Sequence, residues 1–171
     1  MKKSITTDLN PANIANVMEV LAGSPTRLEA LRKFVSADKL RQPLGKGERT
    51  PTEVLAHMLN GEAVSSEMIY QALLVNEPFF PDIHPDRNWG KLLRFDLLDF
   101  SELLAYFTIR RKVLLHVLSG LKEKDWRRAV REEGKQRKES VYWRARTIVM
   151  HELDHLGDLE RKITPNQMNR S

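Results

Sequence analysis

Apolar residues recur along the chain at helical spacing, and the stretches between them are rich in proline, glycine and charge. Pro11 opens the first pattern, with Ile14, Val17, Met18 and Leu21 on one face. Gly23-Ser24-Pro25 punctuates it, and Ser24 is placed to cap a continuation in which Leu28, Leu31 and Phe34 recur at steps of three. "RQPLGKGERT" (residues 41–50), with two glycines and a proline, reads as a loop. A second helix begins at Thr50-Pro51: a candidate N-cap precedes a proline at the first helical position, and Glu53 completes a capping box. That helix is predicted to reach about Val75.

Three prolines and a glycine forbid regular structure in "NEPFFPDIHPDRNWG" (76–90), which reads as a long loop. Beyond it, Leu93, Leu97, Phe100, Leu104, Phe107, Leu114, Leu118 and Leu121 alternate steps of four and three, with Arg111 filling the one gap. That is the buried seam of a helix packed alongside its neighbours. Gly120 ends it, and the charged run "KEKDWRRAVREEGKQRKES" (122–140) reads as a solvated loop. A last helix is predicted from about Val141 to Lys162, with Ala145, Ile148, His155, Leu156 and Leu159 along one side and Pro165 beyond its end. No strand alternation or internal repeat stands out. Four such helices make an all-α four-helix bundle, and the connection lengths suit either antiparallel or crossover topology.

A length of 171 residues, 41% hydrophobic and 30% charged, fits one globular domain over 1–171 with its core at about 12–162. No apolar run approaches the ~20 residues that cross a bilayer. The opening "MKKSITTDLNPANIANV" lacks the apolar region of a secretory signal, so a cytoplasmic location is expected. There is no cysteine, which excludes disulfides, thiolate nucleophiles, zinc knuckles and iron–sulfur clusters. Any metal must rest on His, Asp or Glu, and thiol chemistry would need a thiol brought by a substrate. The net charge of +5 is scattered, without a recognition-helix pattern or paired aromatics, so nucleic acid is not the expected partner.

The chemistry concentrates in "IVMHELDHLGDLE" (148–160). His151 and His155 lie four apart, one above the other on a helix, and share a stripe with Ile148 and Leu159, so both point inward. His57 is in line with Val54, Gly61, Val64 and Met68, also inward, and Gly61 removes bulk beside it. Burying one imidazole without a partner costs about 1–3 kcal/mol, whereas a shared cation satisfies all three. Three histidines leave coordination positions open, as catalytic sites do, and suit Zn, Ni, Fe or Co. His151-Glu152-Leu153-Asp154-His155 also spells H-E-x-x-H. A protease needs a third ligand downstream and a sheet beside the motif, but no histidine follows His155 and nothing upstream reads as strand; Glu152 is also about 100° from His151 around the helix.

The order and spacing of "ERTPTEVLAHMLNGE", "LLAYFTIRRKVLLHVLSGLKEKDWRR" and "ARTIVMHELDHLGDLE" resemble the DinB-like (DinB/YfiT) superfamily of four-helix bundles, over roughly Ala12 to Lys162. The resemblance implies an up-down-down-up bundle with a long crossover between helices 2 and 3. It also implies a divalent metal on His57, His151 and His155, and homodimers. Characterised relatives include metal-dependent transferases or isomerases that use low-molecular-weight thiols. Where the family often carries tryptophan before the Ser/Thr-x-x-E turn, this chain has Arg49. Arg111 is read either as a fork for a substrate anion or as an arginine that snorkels to a rim or pairs with a buried acid. Asp154 is a candidate for orienting a ligand histidine from behind. His84 is placed near the site's mouth, His116 on the surface, and Trp89, Trp126 and Trp143 in packing. The expected function is metal-dependent chemistry on a small molecule, most concretely a thiol-dependent transferase, then a hydrolase; catalytic residues beyond the ligands are not assigned. The alternative is a non-catalytic metal-binding or stress-response bundle.

Overall fold

The computed structural model describes residues 5–163. Four long helices build it: α1 (Pro11–Phe34), α2 (Pro51–Leu74), α3 (Phe100–Ser119) and α4 (Val141–Ile163). All four start on side-chain caps that satisfy otherwise orphaned backbone donors, the Ser140 hydroxyl accepting from the Trp143 amide at α4. Asn10 accepts from the Asn13 amide at α1. Both halves of the Thr50/Glu53 capping box form at α2, and Asp99/Glu102 form a second box at α3. Pro165, expected to follow the last helix, lies outside the described residues.

Helix α2 packs on α3 and α4, and α1 packs on the same two from the opposite side. The segment 75–99 leaves the end of α2 and returns along it, bringing Asp86 against His57, so α3 starts at the end where α2 starts. Two consecutive helices thus run parallel, and the bundle has the expected up-down-down-up order with its long crossover. No helix among the described residues is long and apolar enough to cross a membrane.

The structure departs from the sequence reading in four places. First, Gly23-Ser24-Pro25 does not interrupt α1, which continues through Pro25. Proline removes the amide that would bond the Leu21 carbonyl, and Arg111 Nη1 donates to that carbonyl instead at 2.9 Å. Ser24 caps nothing; its hydroxyl is buried, 2.7 Å from a Glu152 carboxylate oxygen and 3.0 Å from the Val20 carbonyl. Second, α3 begins at Phe100, because the Asp99 box sets the start; Leu93 and Leu97 lie outside the seam and are exposed. Third, the crossover is not structureless. It contains a π-helical turn (Pro85–Gly90) and strand β1 (Phe79–Phe80). Fourth, the charged run folds. β1 pairs in parallel with β2 (Ala129–Glu132), which pairs antiparallel with β3 (Glu139–Ser140). Trp126 and Val130 anchor this run in the core, and Glu139 is buried against Arg144 at 2.8 Å.

The apolar core is in two halves. One gathers Val17, Leu21, Val64, Met68, Leu114 and Ile148; the other gathers Leu28, Leu55, Met58, Phe107, Leu156 and Leu159. Between them every helix contributes one buried polar residue: Ser24, Glu62, Arg111 and Glu152. Arg111 Nη2 donates to Glu62 at 2.8 Å, and both of its terminal nitrogens reach Glu152. This layer crosses the middle of the bundle beside the histidines.

Candidate metal centre

His57 on α2 and His151 and His155 on α4 converge. The Nε2 atoms of His57 and His151 are 2.9 Å apart, and those of His151 and His155 are 3.1 Å apart. Their rings meet edge to face, with centroids 4.5–4.7 Å apart. Nitrogens bound to one cation at about 2.0–2.1 Å and spaced near 90° would be roughly 2.9 Å apart. The three rings therefore fit one face of a coordination sphere, and all three lie in the half-buried range.

Backbone spacing on α4 places two of the rings. The other two conditions come from α2 and the crossover. Gly61 stands opposite His151: a Cβ at that position would lie 3.1 Å from the His151 Cε1 atom, so glycine leaves the ring its room. The sequence reading assigned that space to His57, and the structure assigns it to His151. Asp86, on the π-helical turn, has both carboxylate oxygens 2.9 Å from His57 Nδ1. That bond takes the imidazole proton at Nδ1 and leaves the Nε2 lone pair facing the other two rings. Asn60 Nδ2 donates to the same carboxylate at 3.3 Å and Arg49 Nη2 at 3.0 Å. Gly90 packs so closely on Asn60 that a Cβ there would meet its amide nitrogen at 2.9 Å.

Electrostatics favour the neutral form of both rings on α4. Burial, then the neighbouring His155 and His57, push His151 down to about 4. Burial first, and then His57 and Arg49, lower His155 as well. For Asp86, burial alone would raise the carboxyl, but its bonds to His57 and Asn60 and the charge of Arg49 hold it below the usual carboxylate range. Neutral imidazoles backed by an ionised carboxylate are what a divalent cation requires of its ligands.

Among the other residues singled out, Arg111 is 1% exposed and engaged by two carboxylates and a backbone carbonyl. Asp154 is exposed, and its charge raises both α4 histidines against the effects that lower them. His84 caps the turn carrying Asp86 by accepting from the Arg87 amide, and His116 is exposed. Trp126 is buried beside Tyr142, Trp89 packs on the core, and Trp143 lies under the guanidinium groups of Arg137 and Arg146. Glu152, the acid of the H-E-x-x-H letters, is 1% exposed and bound to Arg111, which removes it from the role it has in a protease. The sequence reading missed Asp86 and Glu62. No spacing rule ties a loop carboxylate to a helix histidine. Glu62 did leave a signal, being a charge on the stripe of Leu55, Leu59 and Ile69.

Two clefts flank the centre. One, of about 580 Å³, opens beside His57 and is lined by Arg49, Ala56, Asp86, Lys91 and Phe95 among others. The other, of about 240 Å³, lies beside His151 and includes Gly61, Val64, Ile83 and Ile148. A four-helix bundle with three inward histidines on facing helices, one held by a crossover carboxylate, is an arrangement that could hold a metal ion. A family profile described as the DinB superfamily matches residues 20–159, and the chain belongs to that superfamily. Among solved structures, it is similar to YfiT from Bacillus subtilis, with a TM-score of 0.77 and 17% identity, covering 99% of this chain and 95% of that one. That protein is described as a probable metal-dependent hydrolase with an unusual four-helix bundle topology. No curated protein matches the chain.

Proposed function

We propose that the chain holds one divalent cation on His57, His151 and His155 and uses it to transform a small molecule, by hydrolysis or by transfer to a low-molecular-weight thiol. The reading rests on one observation: three histidine ligand nitrogens converge within 4.8 Å of one another, and Asp86 engages His57 through Nδ1, on the far side of the ring from its Nε2. A bound cation would supply Lewis acidity, bringing the pKa of a water or thiol toward neutrality. The protein's own residues do the rest. Asp86 keeps His57 in one tautomer and one orientation. Gly61 gives the His151 ring its place, and burial favours the neutral, lone-pair-bearing form of His151 and His155. The clefts on both sides admit a reactant, and the buried Arg111–Glu62–Glu152 layer keeps α2 and α4 in register. The chemistry described for YfiT favours hydrolysis; the absence of cysteine leaves any thiol to be supplied from outside. The homodimer implied by the family is part of the same proposal. Cobalt-loaded protein discriminates the two reactions: a thiol that shifts its visible bands supports transfer. Turnover of simple esters or amides without thiol supports hydrolysis, and neither response would leave a binding role only.

A further inference from the structure

We propose that the cleft beside His57 is an oxyanion site, and that the molecule handled at the centre carries a carboxylate or phosphate held by Lys91 and Arg49. The proposal rests on the metal reading above for what happens to that molecule, but not for its binding. Of the readings open for Arg111, the structure shows the partner of buried acids and not an anion fork: its guanidinium is 1% exposed between Glu62 and Glu152. The cations that line the cleft beside His57 are Arg49, Lys91 and Arg94.

Three acids share that cleft, and each is turned to a group of the protein itself. Asp86 binds His57, Asn60 and Arg49. Asp96 binds the Arg94 guanidinium at 2.9 Å, and Glu53 accepts from the Thr50 amide at 2.7 Å to close the helix cap. The Lys91 ammonium has no hydrogen bond or ion pair among the described residues, and the residue is exposed. Arg49 gives only one nitrogen to Asp86, its side chain is 49% exposed, and its other donors take no partner among the described residues. A guanidinium with a free edge and a free ammonium beside it match the oxygens of a carboxylate or phosphate. Ala56 and Phe95 supply an apolar wall for the body of such a molecule, and the volume of about 580 Å³ is within the range of small-molecule sites. The formal charges of the cleft's three acids and three bases cancel, so the cleft carries no net negative charge to oppose an anion. The second cleft offers no such group, because its Lys135 and Arg144 are bound to Glu132 and Glu139.

The test is calorimetric titration of metal-free protein with inorganic phosphate and with hexanoate, repeated on Lys91→Glu, Lys91→Arg and Arg49→Gln. The expected result is saturable binding of at least one probe, weakened roughly tenfold or more in Lys91→Glu and Arg49→Gln and kept in Lys91→Arg. Tighter phosphate binding assigns a phosphate ester, and tighter hexanoate binding a carboxylate with an apolar body. Lys91 is exposed, so its variants fold. Equal affinity in the wild type and Lys91→Glu, or no binding of either probe to metal-free protein, would overturn the proposal. Failure of the metal reading shows separately, as wild-type protein that takes up no metal while the anion titrations stand.

Discussion

Replacing Arg111 with methionine leaves Glu62 and Glu152 facing each other, both 1–2% exposed, without the cation that joins them. It also strips the donor from the Leu21 carbonyl that Pro25 already leaves unbonded within α1. Removing one partner from a buried ion pair costs about 3–5 kcal/mol, which for a domain of this size lowers Tm by roughly 6–20 °C. The sign of the pH dependence follows from the carboxylates. Burial already pushes Glu62 up against the pull of Arg111. Without that pull the folded variant binds protons more readily than the unfolded chain does. Its stability deficit is therefore largest at pH 8 and shrinks as pH falls toward the raised value of Glu62. Urea melts of wild type and Arg111→Met at pH 8 and pH 5.5 measure this directly. Adding Glu62→Gln and Glu152→Gln to the variant removes the stranded charges and restores most of the loss. A deficit below about 1 kcal/mol at pH 8, or one that is the same at both pH values, would refute the assignment of Arg111 as the hub of the core.

Three further outcomes are expected at the centre. Asp86→Asn removes the carboxylate behind His57 and lowers metal affinity roughly 10–100-fold in a competition titration with a chelator, while the helical circular dichroism is unchanged. Gly61→Ala places a methyl group 3.1 Å from the His151 ring and forces it to shift; cobalt spectra should show an altered coordination envelope and weaker binding. Metal-free protein loses stability as pH is lowered from about 6.5 toward 4. His151, held down at about 4 by burial and its neighbours, takes up its proton later in the folded than in the unfolded state; a flat thermal-shift profile across that window would count against the buried ring.

Much of the bundle was legible because helix starts are written locally. Thr50-Pro51 with Glu53 marks α2 to the residue, and the seam from Phe100 through Leu118 marks the buried face of α3. The three histidines were legible for the same reason, since each lies on an apolar stripe whose period fixes its direction. The failures have one physical character. Pro25 reads as a break, yet the carbonyl it frees is bonded by Arg111, ninety residues away. Residues 122–140 read as solvated because charge dominates their composition; Arg144 and Glu139 neutralise each other there, and two apolar side chains are enough to anchor the strands. Asp86 sits in a proline-rich loop whose path only the folded crossover determines. Partners from distant segments decide each case, and a window of neighbouring residues does not contain them.

Metal content decides the central claim. Wild-type protein purified without a histidine tag, reloaded with zinc or cobalt and desalted, is expected to retain one cation per chain by elemental analysis. His57→Ala, folded to the same helical content, is expected to retain almost none. Full stoichiometric metal in His57→Ala, or none in the wild type after loading, would contradict the three-histidine centre.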